Sequence, residues 1–259
     1  MVSHTLVGEA ETDQATISTG KQRMQKRTKI ITASIVAGVL LLGATAAVAG
    51  PIVYRDVIVG AADAAPTVTA APTTTDPAST PEVDPADLTG SWVVADGSYA
   101  GYRVDEVLNG TNVTVTGRTE EVTGSLTVDG LALTGAEFAV DVASIATDSS
   151  SRDTYFHDNA LRVSQFPTAT FVLTGAVAAT APPVVGEVQT ISATGDLTIA
   201  GVTRSVTVEL EAVLNSTEGQ VAGSIPITFA DFGVEAPNLG FVSVEPAGFI
   251  EFSLVIRLA

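Results

Sequence analysis

The residues of this chain that could do chemistry are few, and most of them lie in one polar segment. His157 and Asp158 follow serines at 149–151, a combination that a serine hydrolase would use. A hydrolase triad also needs its nucleophile on a strained turn, and no Gly-X-Ser-X-Gly sequence occurs. The chain has no cysteine and only two histidines, which removes thiolate chemistry and histidine-rich metal sites. The sequence therefore predicts neither an enzyme nor a bound cofactor.

Arg152 and Asp153 form the sharpest polar pair in the same segment. The guanidinium of Arg152 could bind a phosphate or a quinone oxygen through its fork of donors. An Arg152–Asp153 bridge that pins the loop is the simpler interpretation, and it is favoured. Residues 148–166 do not alternate as a strand would, which predicts a short helix capped by a serine or by Asp153. Such a segment forms a lid over one end of a fold or a functional loop.

The distribution of charge along the chain predicts a membrane anchor. The net charge of the 259 residues is -17, yet residues 1–29 carry five basic and three acidic side chains, followed by an uncharged apolar stretch at 30–54. As a helix this stretch would reach about 37 Å, enough for a hydrocarbon core of about 30 Å. The cationic flank predicts a single-pass protein with residues 1–29 in the cytoplasm and the C-terminal part outside the cell. Signal cleavage near Ala49, which would release a secreted protein, is the alternative.

Between this segment and the main domain lies a linker, residues 55–89. It is rich in proline, alanine and threonine and has no apolar period, so it is predicted to be extended and solvated, a simple stalk. The main domain, residues 90–259, has six arginines, no lysine and twenty acidic residues. This charge excludes nucleic acid as a partner and disfavours a domain that lies flat on anionic lipid.

The main domain is patterned for strands. Apolar residues at 250, 252, 254, 256 and 258 alternate with more polar neighbours, as a strand with one buried face requires. Similar or β-branched runs indicate eight or more strands, without a helical period for parallel crossovers. Turns are predicted at Asn109-Gly110, Asp129-Gly130, Gly186, Ala200-Gly201 and Glu218-Gly219. The pattern therefore favours an all-β antiparallel barrel or sandwich.

Several motifs in this order resemble the YceI-like family. They include Gly90-Ser91-Trp92-Val93-Val94, Phe166-Pro167-Thr168-Ala169-Thr170-Phe171, the stretch from Gly195 to Arg204, and Asp231-Phe232-Gly233. The resemblance covers nearly all of residues 90–259. It implies an extended, lipocalin-like antiparallel β-barrel of about eight strands that binds a polyisoprenoid lipid. The chain departs from many relatives at His157, where they carry a basic residue, and at Ala200, where they carry a polar one.

A barrel of this size is either filled by its own side chains or holds one slender ligand. An apolar isoprenoid or quinone-like lipid suits it, because each buried CH₂ contributes about 0.8 kcal/mol. Two functions therefore stay open, a membrane-tethered lipid carrier and a non-binding surface module for adhesion or envelope structure, and a homodimer is also left open. Each candidate aromatic could instead simply fill the core. The candidate ligand-binding residues are Phe138, Arg152, Phe156, Phe171, Phe229 and Phe252.

Overall fold

The computed structural model describes residues 62–70, 84–215 and 218–259, and this part of the chain is almost entirely β-structure. A four-residue helix α1 (Pro85–Leu88) leads into the first strand, and a second helix α2 (Ser150–Tyr155) lies in the longest connection. The strands are, in chain order, β1 (Gly90–Leu108), β2 (Thr111–Thr119), β3 (Val122–Asp129), β4 (Ala132–Asp141), β5 (Thr168–Leu173), β6 (Val177–Ala178), β7 (Gln189–Ile199), β8 (Val202–Asn215), β9 (Glu218–Thr228) and β10 (Val242–Leu258).

Eight of these strands form a closed antiparallel barrel, in the order β1-β3-β4-β5-β7-β8-β9-β10 and back to β1. The two others lie off the ring, since β2 pairs with the second half of β1 and β6 pairs with β4. The length of β1 makes this possible: residues 90–93 pair with β3, whereas residues 100–108 pair with β2. The predicted antiparallel barrel of about eight strands is confirmed.

Tight hairpins explain why neighbouring strands along the chain are neighbours in the sheet. Asn109 and Gly110 both have positive φ, at 50° and 79°, the conformation that a two-residue hairpin requires. Ala200 and Gly201 repeat it at 49° and 79°. The predicted turn at Glu218-Gly219 is wrong in position, because both residues already lie in β9. Gly219 faces Ile256, which leaves little room for a side chain.

One end of the barrel carries the long polar connection between β4 and β5, and we call it the loop end. The connection holds α2, which confirms the predicted short helix, followed by a π-helical turn at Phe156–Ala160. Ser149 occupies the N-cap position but its side chain makes no capping hydrogen bond. Asp153 does not cap the helix either, since its carboxylate accepts hydrogen bonds from the amide and hydroxyl of Thr147.

The buried core is divided into two clusters. The larger lies towards the loop end and includes Val142, Leu161 and Phe232, and the smaller lies towards the opposite end and includes Trp92 and Leu254. Two residues, Val140 and Phe252, pack against both clusters, and both are half-buried. The larger cluster also continues into the middle of the barrel, where Ala193 of β7 and Val208 of β8 are 4% and 2% exposed.

The linker is not solvated throughout. Residues 62–70, which we call the strap, are extended as predicted but hydrogen-bond to the outer face of the barrel. Six of the nine residues are exposed, as a solvated linker predicts, but the strap is held on the barrel through Asp63, Ala64, Val68 and Thr69. The physical reason for this docking is a row of polar side chains on the outer face, which make hydrogen bonds to amides and carbonyls of the strap.

The predicted transmembrane stretch, residues 30–54, and the tail before it lie outside the described residues. Within the described ranges, no helix combines the length and the hydropathy that a membrane crossing needs.

Candidate functional site

All five phenylalanines predicted from the sequence pack against the core. Phe156, Phe171 and Phe229 contact the larger cluster, Phe138 contacts the smaller one, and Phe252 contacts both. Each of these rings is half-buried although strand alternation turns the strand phenylalanines inward. Apolar ring surface on the inner wall is therefore left uncovered by other protein atoms.

Glycines on neighbouring strands let these rings lie flat against the wall. Phe138 lies opposite Gly124 in the β3–β4 pairing, and Phe252 lies opposite Gly223 in the β9–β10 pairing. A Cβ atom on Gly223 would approach Cζ of Phe252 to 2.8 Å, and one on Gly124 would approach Cδ1 of Phe138 to 2.5 Å. The rings therefore occupy the space that a side chain would take, and they project less into the centre of the barrel.

We predict that Gly195→Ala disturbs this arrangement. A Cβ atom at Gly195 would lie 2.6 Å from both Cε2 of Phe171 and the carbonyl oxygen of Val172, so that backbone as well as ring must move. We expect the free energy of unfolding to fall by about 1–2 kcal/mol, as for other overpacked sites. Urea denaturation followed by circular dichroism measures it.

Gly135→Ala is the matched control, because Gly135 is also in a strand and a Cβ atom there would meet nothing within 4 Å. Its expected change is below about 0.5 kcal/mol. Equal losses for the two variants would contradict the packing role that we assign to Gly195.

Arg152 closes the loop end by joining α2 to strand β1. Its Nη2 atom donates to Glu106 at 3.2 Å, and its Nη1 atom donates to Asp148 at 2.5 Å and to Thr147 at 3.3 Å. The Arg152–Asp153 bridge predicted from the sequence is therefore wrong in its partner, since adjacent residues on a helix point in different directions. The pinning of the loop is as expected, with Glu106 and Asp148 as the anions.

Two carboxylates near Arg152 oppose the effect of burial on its pKa. Burial acts to lower the pKa of Arg152, but the nearby carboxylates of Glu106 and Asp148 outweigh it and raise the pKa. Glu106 itself is only 5% exposed, and its carboxylate lies 3.2 Å from Nη2 of Arg152. Two carboxylates, those of Glu106 and Asp148, therefore face one guanidinium, and a further anion would enter an unfavourable field.

Tyr102, like Glu106, is a polar residue of this site that was not a candidate from the sequence. Its ring stacks on Phe156 with centroids 4.7 Å apart. Burial raises the pKa of the phenol, which the Arg152 charge opposes and the carboxylates of Asp153, Glu106 and Asp148 reinforce. The phenol is therefore protonated at neutral pH and can donate a hydrogen bond. The sequence of β1 contained a signal for this site, because Tyr102 and Glu106 occupy the alternate positions at which β1 otherwise carries its inward-facing apolar residues.

His157 is used to fasten the same loop. Its Nε2 atom lies 3.1 Å from the carbonyl oxygen of Ile145, so it donates a hydrogen bond there. The ring also meets Phe156 edge-on at 5.7 Å between centroids. These contacts account for the position of His157 without a serine partner.

Together, the barrel and its half-buried inner wall define a class of protein, a β-barrel with an apolar interior and one polar end. The model of the YceI-like domain matches residues 92–256, and the chain belongs to this family. Among curated proteins no match was found.

Solved structures with this fold include a polyisoprenoid-binding domain from Saccharophagus degradans, at 19% identity and a TM-score of 0.54, covering 66% of this chain and 99% of that one. BcnA from Burkholderia cenocepacia has 24% identity and a TM-score of 0.49, with 67% and 98% covered. The YceI protein of Campylobacter jejuni has 18% identity and a TM-score of 0.40, with 54% and 83% covered. At 19% identity, the likeness to the Saccharophagus degradans domain concerns the fold alone.

Proposed function

We propose that this protein is an extracytoplasmic lipid-binding protein that holds an apolar isoprenoid or quinone-like chain inside its barrel. The observation that carries the proposal is the partial exposure of the inward-facing rings of Phe138, Phe171 and Phe252 inside a closed barrel. The structural neighbour from Saccharophagus degradans is a polyisoprenoid-binding domain, which supports the same ligand class. Binding rather than catalysis is the proposed activity, because transfer of a greasy chain out of water needs no reacting group.

The polar end of the barrel favours an uncharged headgroup. The guanidinium of Arg152 is already bonded to Glu106 and Asp148, so that two negative charges lie beside one positive charge. A phosphate would have to displace one of these carboxylates or approach them at close range, which costs Coulomb energy in a partly buried site. A quinone or other neutral oxygen instead accepts the hydrogen bond that the protonated phenol of Tyr102 can donate.

The membrane anchor and the orientation belong to the same proposal. Residues 30–54 would hold the protein in the cell membrane, with residues 1–29 inside and the barrel outside. A tethered barrel meets lipid at the bilayer surface, and its twenty acidic residues against six arginines keep it from lying on anionic headgroups.

Native mass spectrometry of the purified full chain, together with solvent extraction and analysis of bound lipid, tests the function. We expect a copurifying apolar lipid or, after delipidation, saturable binding of an added polyprenyl quinone. Recovery of no lipid and no binding of added polyprenyl compounds would favour the alternative, a surface module for adhesion or envelope structure.

We predict that a polyprenyl phosphate binds at least about tenfold more weakly than a polyprenyl quinone of equal chain length, a difference of roughly 1.4 kcal/mol. Glu106→Gln removes one negative charge while keeping a side chain that can accept from Arg152. This variant should reduce the difference in affinity between the two ligands, because it should bind the polyprenyl phosphate more tightly. Competition binding with the two ligands measures both effects, and a preference for phosphate in the unaltered protein would contradict the headgroup assignment.

A further inference from the structure

The strap crosses the outside of the barrel from the loop end to the opposite end. At its upstream end, the carbonyl oxygens of Asp63 and Ala64 accept hydrogen bonds from Arg103 and Arg118, each at 2.6 Å. The Asp63 carboxylate also lies 3.3 Å from Nη1 of Arg118. These arginines belong to β1 and β2, so the strap begins over the joint of these two strands.

At its downstream end, the strap is bonded to β8 and β9. The amide of Thr69 donates to the side-chain oxygen of Gln220 at 2.9 Å, and its carbonyl accepts from Asn215 at 3.1 Å. The amide of Val68 donates to Glu211 at 3.4 Å. Asn215 ends β8, directly beside the start of β9, at the end of the barrel opposite the loop.

The face beneath the strap is buried although it points away from the barrel interior. Glu251, Ala222 and Val213 alternate with inward-facing neighbours, yet they are only 2%, 2% and 3% exposed. Within the strap, Pro66 and Val68 are half-buried whereas Thr67 between them is exposed. This alternation matches an extended segment with one side against a sheet.

The upstream end of the strap adjoins the connection that carries Arg152. The backbone of Arg118 exchanges both of its hydrogen bonds with Ala146, which lies just before that connection. One arginine therefore links the strap to the base of the loop: its side chain holds Asp63 and Ala64, and its backbone holds Ala146.

We propose that the strap is a built-in docking segment that turns the loop end of the barrel towards the membrane. The proposal rests on the membrane tether of the proposed function. With the strap docked, only residues 55–61 separate the predicted span from the barrel, and seven residues reach at most about 25 Å. With the strap free, the tether would continue to residue 89, and either end of the barrel could face the bilayer.

Docking is measured on the full chain by hydrogen exchange. The amides of Val68 and Thr69 should exchange slowly, because both donate to barrel side chains. Val68→Asp places a carboxylate against the face that holds Glu211 and should accelerate this exchange by about tenfold or more. Thr67→Asp, at the exposed neighbouring position, is the matched control and should leave it slow. Fast exchange in the unaltered protein, or equal rates in the two variants, would overturn docking.

Orientation is measured on the same chain in phosphatidylcholine vesicles that carry an acceptor dye on the headgroups. The natural chain lacks cysteine, so Asp158→Cys on the loop end and Asp129→Cys on the opposite end each give one labelling site. Energy transfer should be several-fold stronger from position 158 than from position 129. The difference should shrink with Arg118→Met, which removes the bonds of Arg118 to Asp63 and Ala64 at the upstream end of the strap, and it should persist with Thr67→Asp.

Failure of the membrane tether and failure of the proposed orientation give different results. A chain that does not float with the vesicles would overturn both the membrane tether and the orientation. A chain that floats but transfers energy equally from the two positions would overturn the orientation alone, and lipid binding, measured separately, would be unaffected by that result.

Discussion

Leu210→Trp is expected to lower the affinity for a long isoprenoid by more than about 100-fold, since excluding a single five-carbon unit forfeits roughly 4 kcal/mol of apolar burial before ordering costs. Leu210 faces inward from β8, is half-buried, and lies opposite Gly223, next to the ring of Phe252. The larger indole would fill the middle of the barrel, where the two core clusters meet. Native mass spectrometry or competition binding with a polyprenyl quinone measures the loss.

The free energy of unfolding of Leu210→Trp distinguishes a hollow barrel from a packed one. If the middle has room, the indole enters it and the free energy of unfolding changes by less than about 1 kcal/mol, whereas a filled core would lose about 1–3 kcal/mol by overpacking. Glu209→Trp adds the same group at the adjacent, outward and exposed position and should leave binding unchanged. Unchanged affinity in Leu210→Trp would contradict the interior site.

Arg103→Met is expected to destabilise the fold by about 3 kcal/mol, because it leaves a buried carboxylate poorly paired. Glu251 is 2% exposed and receives Nε of Arg103 at 2.6 Å and Nη2 at 3.2 Å. The remaining cation, Nη2 of Arg118, is 3.8 Å away and is shared with the strap. Methionine keeps much of the side-chain length, so the loss reports mainly on charge. Urea denaturation at neutral pH measures it.

A surface ion pair of the same type provides the control. Arg257 bonds to Glu218 at 3.0 Å, but its side chain is 56% exposed. Arg257→Met should therefore cost no more than about 0.5 kcal/mol. Replacing Arg103 and Glu251 together by methionine should recover part of the loss, since no orphan charge is left. If Arg103→Met and Arg257→Met cost the same, Glu251 does not depend on Arg103.

The strands and the inward phenylalanines were within reach of sequence reasoning because both depend on local pattern. Alternation in residues 250–258 specifies which residues of β10 turn inward, and Leu254 and Ile256 are buried, whereas Leu258 at the end of the strand is exposed. Asn109-Gly110 and Ala200-Gly201 fix hairpins through the positive φ that such turns require. The helix in the long connection was likewise predicted from a break in the alternation.

Partners distant in sequence were decided only by the tertiary structure. Arg152 and Glu106 are 46 positions apart, and Arg103 and Glu251 are 148 apart, so no local pattern could pair them. The closure of β10 on β1 brings the second pair together, and the fold of the long connection over β1 brings the first. The strap shows the same limit, since a proline-rich composition indicates an extended chain but says nothing about the surface that will satisfy its backbone. Local periodicity determines which element forms, whereas ion pairs and docking depend on contacts between elements.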